Sequence, residues 1–228
     1  MSRLIVIGGS KGIGKAIVET LLSSYDEIIN ISRTAPEESH PKLKHFSCDI
    51  TTDELPDIDE ADGLVYCPGS INLKPIDRLS VDDFKNDFEI NVIGAVKAIQ
   101  QYLKALKNGN KPSIVLFSTV AAKLGMPYHA SVAASKSAIE GLTKSLGAEL
   151  APTIRVNAIA PTVTDTELAS KLLRNERMIE NMNERHPLKK YLQPQEVADM
   201  AAFLLSEKAA SLSGQIFEMD CGIVSFKL

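Results

Sequence analysis

Short apolar runs rich in β-branched residues alternate along this chain with longer stretches whose apolar side chains recur every three or four positions. The first run is Leu4-Ile5-Val6-Ile7, and beyond a glycine-rich turn Ile13, Ile17, Val18 and Leu21 fall at helical spacing. Strands are expected at residues 4–7, 27–32, 43–48, 64–67, 113–118, 154–159 and 215–219. Helices are expected near 12–23, 82–107, 129–150, 167–185 and 195–206. This alternation predicts an α/β fold with a doubly wound parallel sheet of about seven strands, covered by helices on both faces. No repeat, linker or low-complexity run interrupts the pattern, so residues 1–228 read as a single domain.

Two connections are short for crossover helices. The link from Ser32 to Leu43 contains Pro36 and Pro41, and the acidic link from Asp49 to Leu64 is broken by Pro56. The sheet is therefore expected to be thinly covered near its third strand.

Composition narrows the class. The chain has 228 residues, 44% hydrophobic and 24% charged, enough for a full core without staples. A net charge of −4 gives no basic surface for nucleic acid. The apolar runs are too short to cross a bilayer, and no charged leader with an apolar stretch precedes the first strand. Cys48, Cys67 and Cys221 are odd in number, lie in or beside expected strands and lack metal-ligand spacing. They read as buried free thiols of a reducing compartment, which makes the cytoplasm the expected location and leaves no metal site. His40, His45 and His186 stand in polar contexts and are expected at the surface.

The glycine turn carries the first candidate chemistry. Gly8-Gly9-Ser10-Lys11-Gly12-Ile13-Gly14 joins a buried strand to a helix, which gathers free backbone N–H groups and a helix N-terminus at one spot that favours phosphate. Gly8 permits the tight turn, Gly12 lets the backbone approach a pyrophosphate, and Gly14 lets helix pack on strand. After the second strand stands Ser32-Arg33-Thr34, where an acid would bind an adenosine 2′-hydroxyl. A hydroxyl and two cations, Arg33 and Lys11, suit a 2′-phosphate instead, hence NADP(H) over NAD(H). Asp49 is placed to accept a hydrogen bond from an adenine amino group, with Ile50 beside it.

Over nearly its whole length the chain resembles the short-chain dehydrogenase/reductase family. The resemblance rests on Gly8, Gly12 and Gly14, on Asp49, and on Tyr66-Cys67-Pro68-Gly69 in place of an Asn-Asn-Ala-Gly turn. It extends to Asn91 with Gly94, to Lys136 in Ala134-Ser135-Lys136, and to Arg155 through Pro161. There Thr162 replaces a glycine. It implies a Rossmann-type fold and hydride transfer between a nicotinamide and a carbonyl or alcohol carbon of a small molecule. It implies cofactor contacts from Gly8, Ser10, Lys11, Gly12, Ile13, Gly14, Ser32, Arg33, Asp49, Ile50, Pro68 and Gly69. Asn91, Lys136, Pro161, Val163 and Thr164 complete that set. Residues 163–190 resemble the family's substrate lid, with Leu168, Leu172, Leu173 and Ile179 as pocket or packing residues. Family members commonly pair through the helices here at 82–107 and 129–150, so a homodimer or homotetramer is expected.

One position departs sharply. The family's general acid/base tyrosine lies one helical turn before the lysine, and Val132 stands there. The family serine falls on Thr119, with Ser118 adjacent. Three readings follow. In the first, the chain is an active oxidoreductase whose proton comes from His129, Ser118, Thr119 or a water held by Asn91 and Lys136. His129 shares a helix stripe with Lys136 but leans toward the pocket mouth, and a structural role at the helix start is its alternative. In the second, the chain is an NADP(H)-binding sensor or partner module with weak turnover or none. The third keeps the fold and turns the chemistry to a lyase or isomerase step.

Overall fold

The computed structural model describes residues 1–226. In chain order the elements are β1 (Arg3–Ile7), α1 (Gly12–Leu21), β2 (Glu27–Ser32), β3 (Leu43–Ser47), β4 (Gly63–Tyr66), α2 (Val81–Phe88) and α3 (Gly94–Asn108). There follow β5 (Ser113–Phe117), α4 (Ala130–Glu149), β6 (Arg155–Pro161), α5 (Glu176–Arg185), α6 (Pro194–Leu205) and β7 (Ile216–Met219). All seven strands pair in parallel, in the order β3-β2-β1-β4-β5-β6-β7. The expected fold class is the observed one, a Rossmann-type single domain.

The pleat explains the two layers. Leu4 and Val6 of β1 pack with Ile17 and Leu21 of α1 and with Val197 and Leu204 of α6. Ile5 and Ile7 face the other way, onto Ile99 and Tyr102 of α3 and Ile139 of α4. Burying each such aliphatic side chain stabilises the fold by roughly 1.5–3 kcal/mol. The chain leaves β1 toward β2 on one side and reaches β4 on the other, so a crevice opens at the carboxyl ends of β1 and β4.

β3 is the sheet's edge and is largely exposed, Phe46 included. Neither of its connections carries a helix, as the two short proline-broken links require. Among the described residues no helix is long and apolar enough to cross a membrane.

The structure corrects three expectations. The helix expected over 82–107 is interrupted by a π turn, Glu89–Ile93, between α2 and α3. Ser80 and Asp83 form a capping box that starts α2, and the Tyr66 hydroxyl donates to the Ile90 carbonyl at 2.6 Å inside the π turn. The helix expected over 167–185 is instead a single turn, Glu167–Ala169, followed by α5, which Asn175 caps by accepting from the Met178 N–H at 3.0 Å. His186 is no surface residue: at the end of α5 its ring is buried, and His45 is half-buried against Asn30.

Gly94 ends the π turn, and a Cβ there would stand 2.2 Å from the Tyr66 hydroxyl oxygen. Replacement Gly94→Ala must push the phenol off Ile90, which costs about 1–3 kcal/mol as overpacking. Urea unfolding of the two proteins is expected to show a lower midpoint for the variant with an unchanged slope.

Candidate functional site

At the mouth of the crevice the chain turns through Gly8 (φ +79°) and Gly12 (φ +53°), both in the left-handed region that favours glycine. Gly14 has no room for a side chain, since a Cβ would lie 2.1 Å from the Gly8 carbonyl oxygen. Lys11, at the N-cap of α1, makes no side-chain capping bond among the described residues, so the leading N–H groups are open to an anion. Asn30, buried in β2, holds the turn from below. Its Oδ1 accepts from the Gly9 N–H at 2.9 Å and its Nδ2 donates to Ser10 Oγ at 2.9 Å. This support was missed in the sequence; the signal was a lone amide inside the apolar run Glu27–Ser32.

One cleft extends from this turn between β1 and β2. It is lined by Gly8, Ser10, Lys11, Ser32, Arg33, Asp49, Ile50, Pro68 and Gly69. Ser10 Oγ lies 2.6 Å from Ser32 Oγ and 2.5 Å from the Thr34 carbonyl. Asp49 sits just past β3, its carboxyl held below the usual range first by the Thr51 hydroxyl and then by the Thr51 N–H. The cations are engaged elsewhere in this conformation. Lys11 pairs with Glu167 at 2.9 Å, and Arg33 stands 3.9 Å from Asp49. Lys11, Glu167 and Arg33 are exposed, so both pairs cost little to open.

A second cavity, of about 200 Å³, meets the first at Gly69. Its floor is Ile13, Cys67, Phe117, Ser118, Thr119, Val132 and Lys136, and its far wall runs from Pro161 through Thr164. Leu168, Leu172, Met182, Arg185 and His186 cover it, and His129 stands at its edge, whereas Leu173 and Ile179 do not line it. Val132 is 4% exposed, one turn before Lys136. The Lys136 ammonium donates to the Phe117 carbonyl at 2.9 Å, its one partner among the described residues. Burial lowers its pKa to about 8, against the pull of the Asp87 carboxylate. Cys67 opens onto the cavity instead of being sealed in the core, and burial pushes its thiol up to about 12.

Asp87 was also missed. It is fully buried with no cation among the described residues at hydrogen-bonding distance, and three neutral groups hold it: Ser70 Oγ (2.6 Å), Asn72 Nδ2 (2.9 Å) and Ser131 Oγ (2.6 Å). Ser70 Oγ in turn accepts from Asn91 Nδ2 at 3.3 Å, and Asn91 reaches Ser135 Oγ at 3.2 Å. The π turn is what points Asn91 inward, toward Gly69 and Lys136. Among the described residues no three His, Cys, Asp or Glu side chains converge to hold a metal.

The chain matches the family described as enoyl-(acyl carrier protein) reductase over residues 8–224. A 2,5-dichloro-2,5-cyclohexadiene-1,4-diol dehydrogenase of Sphingobium indicum is 31% identical over 241 residues, covering 97% of this chain and 96% of that one. The chain belongs to the short-chain dehydrogenase/reductase family. Carbonyl reductase [NADPH] 2 of Sus scrofa is 27% identical, with 98% of this chain and 96% of that one covered. Ligand-free aldohexose dehydrogenase of Thermoplasma acidophilum superposes with a TM-score of 0.90 at 28% identity, over 99% of this chain and 95% of that one. These likenesses make it an oxidoreductase of the nicotinamide-dependent short-chain dehydrogenase/reductase type.

The proton-donor candidates fare unequally. Ser118 Oγ donates to Glu140 Oε1 at 2.7 Å, so its hydrogen is committed away from a substrate. Thr119 Oγ1 accepts from the Ala121 N–H at 3.3 Å and keeps its own hydrogen for the cavity it lines. His129 is half-buried, and its Nδ1 donates to the Pro127 carbonyl at 2.7 Å. Tyr128, at φ +69°, breaks the backbone before α4 and is exposed. The ring of His129 thus stays at the rim, one turn further from Lys136 than Val132.

Lys136 sets a pH dependence. Its folded-state pKa of about 8 lies below a lysine's ordinary 10.5, so the charged form is penalised by folding. Below about 8 the full penalty applies, and it fades as pH rises from about 8 to 10.5. Lys136→Met is expected to be more stable than the wild type at neutral pH. Urea unfolding in that alkaline window is expected to show the gap narrowing.

Proposed function

We propose that this chain is an NADP(H)-dependent reductase or dehydrogenase of small carbonyl or alcohol compounds whose proton does not pass through a tyrosine. The observation that carries this reading is the meeting of two cavities at Gly69. One is built for a nucleotide, with open N–H groups at a glycine turn; the other holds a buried ammonium with a single backbone partner. The residues fit the dinucleotide on this structure's own terms. Only a glycine fits at position 14, and Lys136 has N–H groups to spare for ribose hydroxyls.

Gly8, Ser10, Gly12, Ile13 and Gly14 would hold the pyrophosphate, and Asp49 and Ile50 the adenine. Ser32, Arg33 and Lys11 would take the 2′-phosphate once the Lys11–Glu167 and Arg33–Asp49 pairs open. Pro68 and Gly69 line the passage to Asn91 and Lys136, and Pro161, Val163 and Thr164 flank the carboxamide. When bound, the nicotinamide supplies or accepts hydride. Preference for NADP(H) is supported by the absence of an acid at the end of β2. It is also supported by the likeness to a reductase named for NADPH. Residues 163–190 act as the lid, tied at rest to the glycine turn by Lys11 and Glu167. Gly141 and Ala134 leave an open face on α4 that suits a homodimer or homotetramer. Three free cysteines fit the cytoplasm.

One observation favours a second reading. Val132 is buried in the cavity and has no proton to exchange, which suits an NADP(H)-binding module without turnover. NADPH oxidation against a carbonyl panel separates the two, with wild type and Val132→Tyr run side by side. Wild-type turnover that tyrosine does not improve is expected. Turnover by the variant alone, with equal NADPH binding, establishes the module instead.

A further inference from the structure

The cavity that lacks a phenol at residue 132 has a hydroxyl where the resemblance expects glycine. Thr162 follows β6 directly and is 6% exposed, and its Oγ1 lies 2.7 Å from Nε2 of His186. The other ring nitrogen, Nδ1, lies 2.7 Å from the Met182 carbonyl oxygen. A carbonyl oxygen only accepts, so Nδ1 carries the hydrogen and Nε2 of the neutral ring is the acceptor. The Thr162 hydroxyl therefore donates to Nε2, and its lone pairs stay free for a donor from the cavity that both residues line. A hydroxyl backed by an imidazole, itself oriented by a third group, is the arrangement that makes a weak oxygen a proton acceptor.

We infer that Thr162 is the catalytic hydroxyl of this cavity and that His186, behind it, stores the proton which a tyrosine would otherwise carry. The inference rests on the proposed oxidoreductase reading. In the oxidative direction the substrate alcohol gives its proton to Thr162 Oγ1 while Thr162 passes its own to His186 Nε2. The carbinol C–H bond breaks with its electron pair, which leaves as hydride to the oxidised nicotinamide, and the second C–O bond forms. The products are a carbonyl compound, the reduced nicotinamide and an imidazolium held on Met182. Carbonyl reduction runs the same transfers backwards. His186 acts through Thr162 and is a positioning residue.

Charged and titratable neighbours leave the ring to this task. Arg185 precedes it on α5, and Cys67, His129 and Lys136 line other walls of the cavity. Asp220 and Cys221 come from the C-terminal turn that packs on Pro187 and Leu188. Asp220 is occupied by the N–H groups of Gly222, Val224 and Ser225. Among the described residues the ring bonds only Thr162 and Met182.

Two measurements on the full chain decide the matter. Nitrogen-15 histidine spectra of the cofactor-free protein are expected to show His186 with Nδ1 protonated. Its Nε2 resonance should shift in Thr162→Val, which removes the hydroxyl bonded to it, and return toward wild type in Thr162→Ser. This readout needs no turnover, and the tautomer needs no variant. The second measurement is kcat against pH, with NADPH affinity measured alongside. Thr162→Val and His186→Gln are expected to lose about 10²–10⁴-fold in kcat with NADPH affinity retained. Thr162→Ser should recover most of the Thr162→Val loss, and His186→Gln should change the shape of the kcat–pH profile. An Nε2-protonated ring overturns the inference. So does a wild-type kcat and pH profile in both variants, and either result leaves the NADP(H) reading standing. A wild type that binds NADPH but turns nothing over removes the inference and leaves the binding module. Failure to bind NADPH removes both.

Discussion

The close crossing of Gly14 over the Gly8 carbonyl is the contact on which the rest depends. With 2.1 Å between that oxygen and any Cβ, the helix start and the strand end approach as near as backbones can. That approach lays α1 along β1, gives Ile17 and Leu21 their places against Leu4 and Val6, and brings the open N–H groups of α1 to the crevice. A larger residue at position 14 would lift the helix and move its open N–H groups away from the crevice in one movement. The fold and the site share a single constraint.

Behind the crevice, polarity is buried at some expense and then satisfied. Asp87, Ser70, Asn91, Ser131 and Ser135 form one network under the passage between the two cavities. A buried carboxylate held only by neutral donors is costly unless each bond is made. Here three are made, and its charge offsets part of the desolvation of Lys136. The π turn belongs to the same economy. It gives up regular helix geometry at Glu89–Ile93 so that Asn91 can turn inward, and Tyr66 and Gly94 lock the distortion in place.

Much of this was legible in the sequence because it rests on local periodicity. Seven strands in a parallel sheet follow from β-branched runs alternating with helical patterns, and their boundaries differ by a residue or two. What escaped depends on contacts remote in sequence. His186 reads as a polar residue beside Arg185 and Pro187, and only the fold of α5 onto β6 buries it against Thr162. Asp87 reads as one more acid on an acidic helix until α4 brings Ser131 over it. Ser118 reads as a free hydroxyl until Glu140, more than twenty residues on, takes its hydrogen. The break between Glu167–Ala169 and α5 was hidden because the whole stretch is charged and helix-permissive, with Asn175 the one cue to a restart.

On the proposed reading, the glycine turn and the buried Lys136 form two ends of one NADP(H) site. Calorimetric titration of the protein with NADPH, then with NADH, tests it most directly. Saturable binding of one NADPH per chain is expected, with weaker binding of NADH and competition by adenosine 2′,5′-bisphosphate at the glycine-turn end. No heat with either nucleotide, or binding that the bisphosphate leaves untouched, would contradict it.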